Sequence, residues 1–139
     1  MTTRWNEIFA VHAEATKELD HWHNSYANQV LLFQCAFDQP CHKLTDNIPP
    51  STYNLGRKLM EEEIKEMWVG FDKLQHAGGT PSLENLVEFA DGAIDAIYVI
   101  CWTLNKLGLP ADTLFIEVQR SNMAKLQDDG TYLKNEHGK

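Results

Sequence analysis

The stretch Leu86-Val87-Glu88-Phe89-Ala90-Asp91-Gly92-Ala93-Ile94-Asp95-Ala96-Ile97-Tyr98-Val99-Ile100 is largely apolar but carries three carboxylates. It lies within a longer segment, residues 83–107, that contains no Pro and one Gly. Ser82 supplies an N-cap and Gly108-Leu109-Pro110 a stop, so the segment reads as one long helix. Glu88, Asp91 and Asp95 are spaced by three, four and seven residues, which on a helix sets them in one band along a single face. The apolar residues Leu86, Val87, Phe89, Ala90, Ile94, Ile97, Tyr98, Val99, Ile100, Trp102, Leu104 and Leu107 point in nearly every other direction, and such a helix favours burial on all sides. Carboxylates set against packed surface are costly without partners, and too few cations lie nearby in sequence to neutralise them all. The band is therefore the sharpest site signal in the chain.

Outward from this helix the periodicity remains helical. Residues 52–75 carry Leu55, Leu59, Met60, Ile64, Met67, Trp68 and Phe71 on a face distinct from an acidic one, and the pattern stops before Gly78-Gly79. A fifth helix is predicted over 111–126, before the polar tail that opens with Asp128-Asp129-Gly130. Toward the N-terminus, a short helix is predicted over 26–37 behind the cap candidates Asn24 and Ser25. An amphipathic helix over about 4–22 carries Trp5, Ile8, Phe9, Leu19 and Trp22. Residues 38–51, with Pro40, Pro49 and Pro50, read as an ordered loop. No strand alternation and no internal repeat is present, so the predicted class is all-α, a bundle of about five helices in one domain spanning 1–139.

Charge narrows the partners. The 20 acidic against 12 basic residues give a net charge of −8, which repels a nucleic-acid backbone, and no basic stripe reverses it. A phosphorylated small molecule remains compatible, because bound divalent cations invert the charge of an acidic cleft. The first ten residues include Arg4, Asn6 and Glu7 and read as neither a signal peptide nor a membrane span, so a cytoplasmic location is expected. The odd set Cys35, Cys41 and Cys101 is expected to be reduced, and with His42 it lacks the close Cys pair of structural zinc sites. His12, His21 and His23 read as surface or boundary residues, the last two pointing to different faces.

The helix over 52–75 adds Glu61, Glu62, Glu63 and Glu66, and the pairs Glu63/Glu66 and Glu62/Glu66 share a face. Taken alone this run suits a solvated face. A di-iron bundle would require a Glu-x-x-His pair on each of two helices, which neither acidic helix has. Hard oxygen donors without His suit magnesium or manganese.

Glu62-Glu63-x-x-Glu66 followed on the next helix by Glu88-x-x-Asp91 resembles the all-α nucleotide pyrophosphohydrolases, which include MazG and phosphoribosyl-ATP pyrophosphohydrolase. Glu117-Val118-Gln119-Arg120-Ser121-Asn122-Met123-Ala124-Lys125-Leu126 is similar to the Ser-Asn-Met-x-Lys segment of that branch, and Asp129-Gly130 with Leu133-Lys134 to its Asp-Gly tail. The resemblance runs over residues 30–134. It leaves 1–23 as an N-terminal helical extension, and the polar C-terminal tail over 127–139 carries its Asp-Gly motif. Gln34 departs from the pattern, which has His after Phe33, and is assigned no role.

The resemblance implies that Glu63, Glu66, Glu88 and Asp91 hold two or more magnesium or manganese ions on a nucleoside triphosphate. Glu62 or Asp95 then completes a metal shell or orients the attacking water, and Asn122, Lys125 and Lys134 contact phosphate. It also implies a homodimer or homotetramer around a shared four-helix core, in agreement with the apolar surround of residues 86–107. A compact stand-alone chain of this kind resembles phage MazZ-type enzymes, which implies (d)GTP as substrate; phosphoribosyl-ATP and the pyrimidines dCTP and dUTP are the alternatives. Phe33, Trp68 and Trp102 are candidates to stack a base, although aromatics at helical spacing more commonly form core. A metal-free helical module whose acidic face binds a basic partner is the non-enzymatic alternative.

Overall fold

The computed structural model describes residues 25–132, which form four helices: α1 (Tyr26–Ala36), α2 (Pro50–His76), α3 (Leu83–Lys106) and α4 (Ala111–Met123). Among the described residues no strand occurs, and the fold is all-α as predicted; one isolated antiparallel bridge joins Leu126 to Tyr132. The amphipathic segment over 4–22 lies outside the described residues. No helix among them is long and apolar enough to cross a membrane.

Local chemistry explains the boundaries. The Ser25 and Ser82 hydroxyls accept the backbone N–H of Asn28 and Asn85, each at 3.2 Å, and so cap α1 and α3. α2 begins at Pro50, two residues earlier than the sequence predicts, because a proline in the first turn has no N–H to leave unsatisfied and a φ already suited to a helix. α4 ends at Met123 rather than near 126: the N–H groups of Lys125 and Leu126 turn back to Asn122 and Met123 at 3.2 and 3.1 Å, tightening the chain before the Gly130 turn. Gly130 has φ +79°, the left-handed conformation that glycine adopts without strain.

The described chain divides into two compact units, one through Leu109 and one from Pro110. In the first, α2 and α3 pack antiparallel, and glycines set their separation. A Cβ added to Gly70 would lie 2.7 Å from Phe89 Cα, one on Gly92 2.8 Å from Met67 Cα, and one on Gly56 2.9 Å from Thr103 Cγ2. Numbers fall on one helix as they rise on the other (56 with 103, 67 with 92, 70 with 89), so the register holds over most of α2. At Gly70 and Gly92 the two backbones touch, which no other residue type allows.

α1 packs on the C-terminal half of α3. Ala27, Val30, Ala96 and Trp102 are buried there around Gln34, which has no exposed surface. Gln34 Nε2 donates to the Trp102 carbonyl at 3.1 Å, while Asn105 Nδ2 donates to Gln34 Oε1 at 3.0 Å and to the Ala27 carbonyl at 2.9 Å. The Trp102 indole N–H donates to Gln39 Oε1 at 2.8 Å. A buried amide left unpaired would be expensive, and this network gives both its nitrogen and its oxygen a partner. Gln34 is thus a structural link between α1 and α3, a role that its departure from the family pattern did not reveal.

Candidate active site

Where the two glycine-locked backbones meet, the flanking residues are acidic. Glu62, Lys65, Glu66 and Val69 from α2 and Glu88, Asp91 and Gly92 from α3 line an open cleft of about 400 Å³. The spacings that placed Glu62 with Glu66, and Glu88 with Asp91, on common helix faces therefore bring both pairs to one concavity. The tight approach at Gly92 decides which carboxylates meet, since its neighbour in sequence is Asp91 and its neighbours across the seam are Glu66 and Met67.

Glu63 and Asp95 are not among the lining side chains. Glu63 stands seven residues from both Gly56 and Gly70, on the stripe of α2 that faces the seam. Its carboxyl is pushed above the ordinary glutamate value, first by desolvation and then by repulsion from Glu66, Asp95, Glu62 and Asp91. All the predicted carboxylates apart from Glu88 thus act on one group, and the negative charge of both helices is concentrated there.

Cations in reach are few, and one of them comes from a position that local sequence does not disclose. Lys73 crosses from α2 to α3 and pairs with Glu88 Oε1. Lys58 lies 3.8 Å from Glu62 Oε1, one turn away on the same helix. Glu61 accepts a 2.7 Å hydrogen bond from Arg57 Nε and is not a cleft residue. Among the described residues, no three His, Cys, Asp or Glu side chains converge closely enough to hold a metal ion. Lys73 holds Glu88, so ligation requires that pair to open and the carboxylates to draw together. The donor set nonetheless fits magnesium or manganese: it consists of hard carboxylate oxygens in a cleft open to water.

Of the predicted phosphate contacts, Asn122 and Lys125 lie in the unit that begins at Pro110, where Lys125 Nζ donates to Asn122 Oδ1 at 3.0 Å. Lys134 lies outside the described residues. Trp102 is buried and Phe33 packs against Phe37 and Tyr98, which commits both to the α1–α3 contact. Trp68 is exposed and stacks edge-on with Phe71 at 5.6 Å. None of the three lines the acidic cleft.

The sequence profile of the phosphoribosyl-ATP pyrophosphohydrolase family matches residues 32–122. The chain belongs to this family. The match takes in both acidic motifs and the seam glycines Gly56, Gly70 and Gly92, and it ends at Asn122, so Lys125, Asp129-Gly130 and Lys134 lie beyond it. No curated protein matches the chain. Membership in the phosphoribosyl-ATP pyrophosphohydrolase family points to an enzyme that hydrolyses a nucleotide at a pyrophosphate linkage.

The raised Glu63 carboxyl has a thermodynamic consequence. Because the folded state binds this proton more readily than the unfolded state, Glu63 makes stability fall as pH rises from the ordinary glutamate range through its raised folded value. Glu63→Gln removes that contribution, so the metal-free variant should melt at a higher temperature than wild type at neutral pH, with the difference closing as the pH is lowered. Thermal melts in chelator across the acid range check this; equal melting temperatures at neutral pH would show that Glu63 carries no such strain.

Proposed function

We propose that the chain hydrolyses a (deoxy)nucleoside triphosphate to the monophosphate and pyrophosphate with magnesium or manganese, and that the acidic cleft between α2 and α3 is its active site. The observation that carries this reading is the convergence of Glu62, Glu66, Glu88 and Asp91 on one cleft, in a chain of this family. When bound, the metal neutralises phosphate oxygens and lowers the pKa of a coordinated water. Glu63, Glu66, Glu88 and Asp91 would hold it, and Glu62 or Asp95 would complete the shell or orient the attacking water. The cleft is too acidic to accept a triphosphate without that cation, so substrate and metal binding are coupled. Asn122 and Lys125, which hydrogen-bond to each other, are the phosphate contacts that the resemblance implies.

The favoured substrate is (d)GTP, on the resemblance to MazZ-type enzymes, ahead of phosphoribosyl-ATP, dCTP and dUTP. The deciding experiment incubates the protein with each of the eight common nucleotides and phosphoribosyl-ATP in the presence of magnesium or manganese and identifies products. Monophosphate and pyrophosphate in equal amounts are expected. Orthophosphate with accumulating diphosphate would mean a different bond is cut, and no turnover of any nucleotide would favour a binding module.

The same reading includes assembly. α3 presents Ile94, Ile97, Tyr98 and Ile100 to solvent in the single chain, with Ile94 58% exposed, although its composition favours burial all round. Pairing across a two-fold axis would cover this face. Sedimentation at micromolar concentration should give two or four times the 15.9 kDa chain mass; a clean species at the chain mass would exclude the assembly.

A further inference from the structure

The lysines around the cleft are not equivalent. Lys58 reaches Glu62 within its own helix, and Lys65 lines the cleft with no ion-pair partner among the described residues. Lys73 instead reaches across the helix crossing. It lies three residues beyond Gly70, where a Cβ would stand 3.1 Å from the Glu88 carbonyl carbon, and that close approach brings an α2 ammonium to an α3 carboxylate. Glu88 is also a wall of the cleft beside Glu62, Glu66 and Asp91. One carboxylate therefore has two possible cations, the ammonium that holds it now and the divalent ion for which the cleft is suited.

We propose that Lys73 is the resident counter-ion of Glu88, a positioning residue that keeps this carboxylate out of the metal shell until a divalent cation displaces it. Lys73 thereby sets the metal concentration at which the site assembles. The inference rests on the metal-dependent reading above. Its size follows from exposure: both partners are about half exposed, where ion pairs are weak and salt-screened, so the competition amounts to about two- to fivefold in metal affinity.

The test is calorimetric titration of the metal-free, nucleotide-free full chain with Mn²⁺. Lys73→Met should bind about two- to fivefold more tightly than wild type, and Lys73→Arg, which keeps the charge, should bind like wild type. Lys65→Met removes the same charge from the cleft wall without releasing Glu88 and should give a smaller gain. In a Glu88→Gln background, Lys73→Met should change nothing. Equal tightening by Lys65→Met and Lys73→Met would assign the effect to the general field and overturn the proposal. Unchanged affinity of Lys73→Met with a lowered melting temperature would reduce the pair to a structural clip and overturn it equally. A wild-type chain that binds no Mn²⁺ removes both this proposal and the metal-dependent reading, whereas wild-type binding with no response at Lys73 removes this proposal alone.

Discussion

Changing Glu66, Glu88 or Asp91 to the matching amide should lower turnover at least about a hundredfold, about 3 kcal/mol of transition-state stabilisation, while the chain stays folded. Each substitution preserves volume and removes one charge from the acidic cleft, where the proposed metal site would depend on the sum of those charges. Glu63→Gln should be as inactive, yet more stable than wild type in the absence of metal, because it removes a carboxylate whose ionised form is disfavoured first by desolvation and then by its acidic neighbours. Glu61→Gln is the control: Glu61 pairs with Arg57 on the exposed side of α2, and an exposed pair of this kind is worth little. Turnover with the substrate identified by product analysis, alongside circular dichroism of each variant, decides the matter. An inactive Glu61→Gln with active Glu88→Gln and Asp91→Asn would show that the catalytic face of α2 has been misassigned.

The parts of this site that were legible in sequence are those that a single helix encodes. A spacing of three residues set Glu88 with Asp91 and one of four set Glu62 with Glu66, the pairs that line the cleft, whereas Asp95 of the same band does not line it. The caps Ser25 and Ser82 and the stop at Gly108 bounded their helices closely. What stayed hidden depends on two helices at once. Lys73 lies fifteen residues from Glu88, so nothing local marks it as a partner. Gln34 looked like a departure from a family pattern, and only the fold places its amide between the Trp102 carbonyl and the Asn105 side chain. Gly92, inside an otherwise apolar helix, reads in sequence as a tolerated cost of about 1 kcal/mol relative to alanine; its purpose becomes visible only when Met67 lies against it.

That last residue gives the sharpest structural prediction. Gly92→Ala gains up to about 1 kcal/mol of helix propensity, but the new Cβ meets the Met67 N and Cα, each at 2.8 Å. Backbone atoms in the middle of a helix cannot swing aside as a side-chain tip can, so the helices must part, at a cost of about 1 to 3 kcal/mol. Gly70→Ala meets the Phe89 N and Cα at 2.8 and 2.7 Å and should behave alike. Gly56→Ala should cost less: its neighbour is the Thr103 side chain rather than backbone, so the crowding is relieved by a shift of that side chain, at the expense of the hydrogen bond from its hydroxyl to the Val99 carbonyl. Separating the seam also carries Glu66 away from Asp91 and Glu88, so turnover of Gly92→Ala, measured well below its melting temperature, should fall more than about tenfold, in line with the sensitivity of metal-assisted chemistry to small misplacements. Urea unfolding and turnover of the three alanine variants form one experiment. If Gly92→Ala is as stable and as active as Gly56→Ala, the backbone contact at the seam does not set the geometry of the acidic cleft.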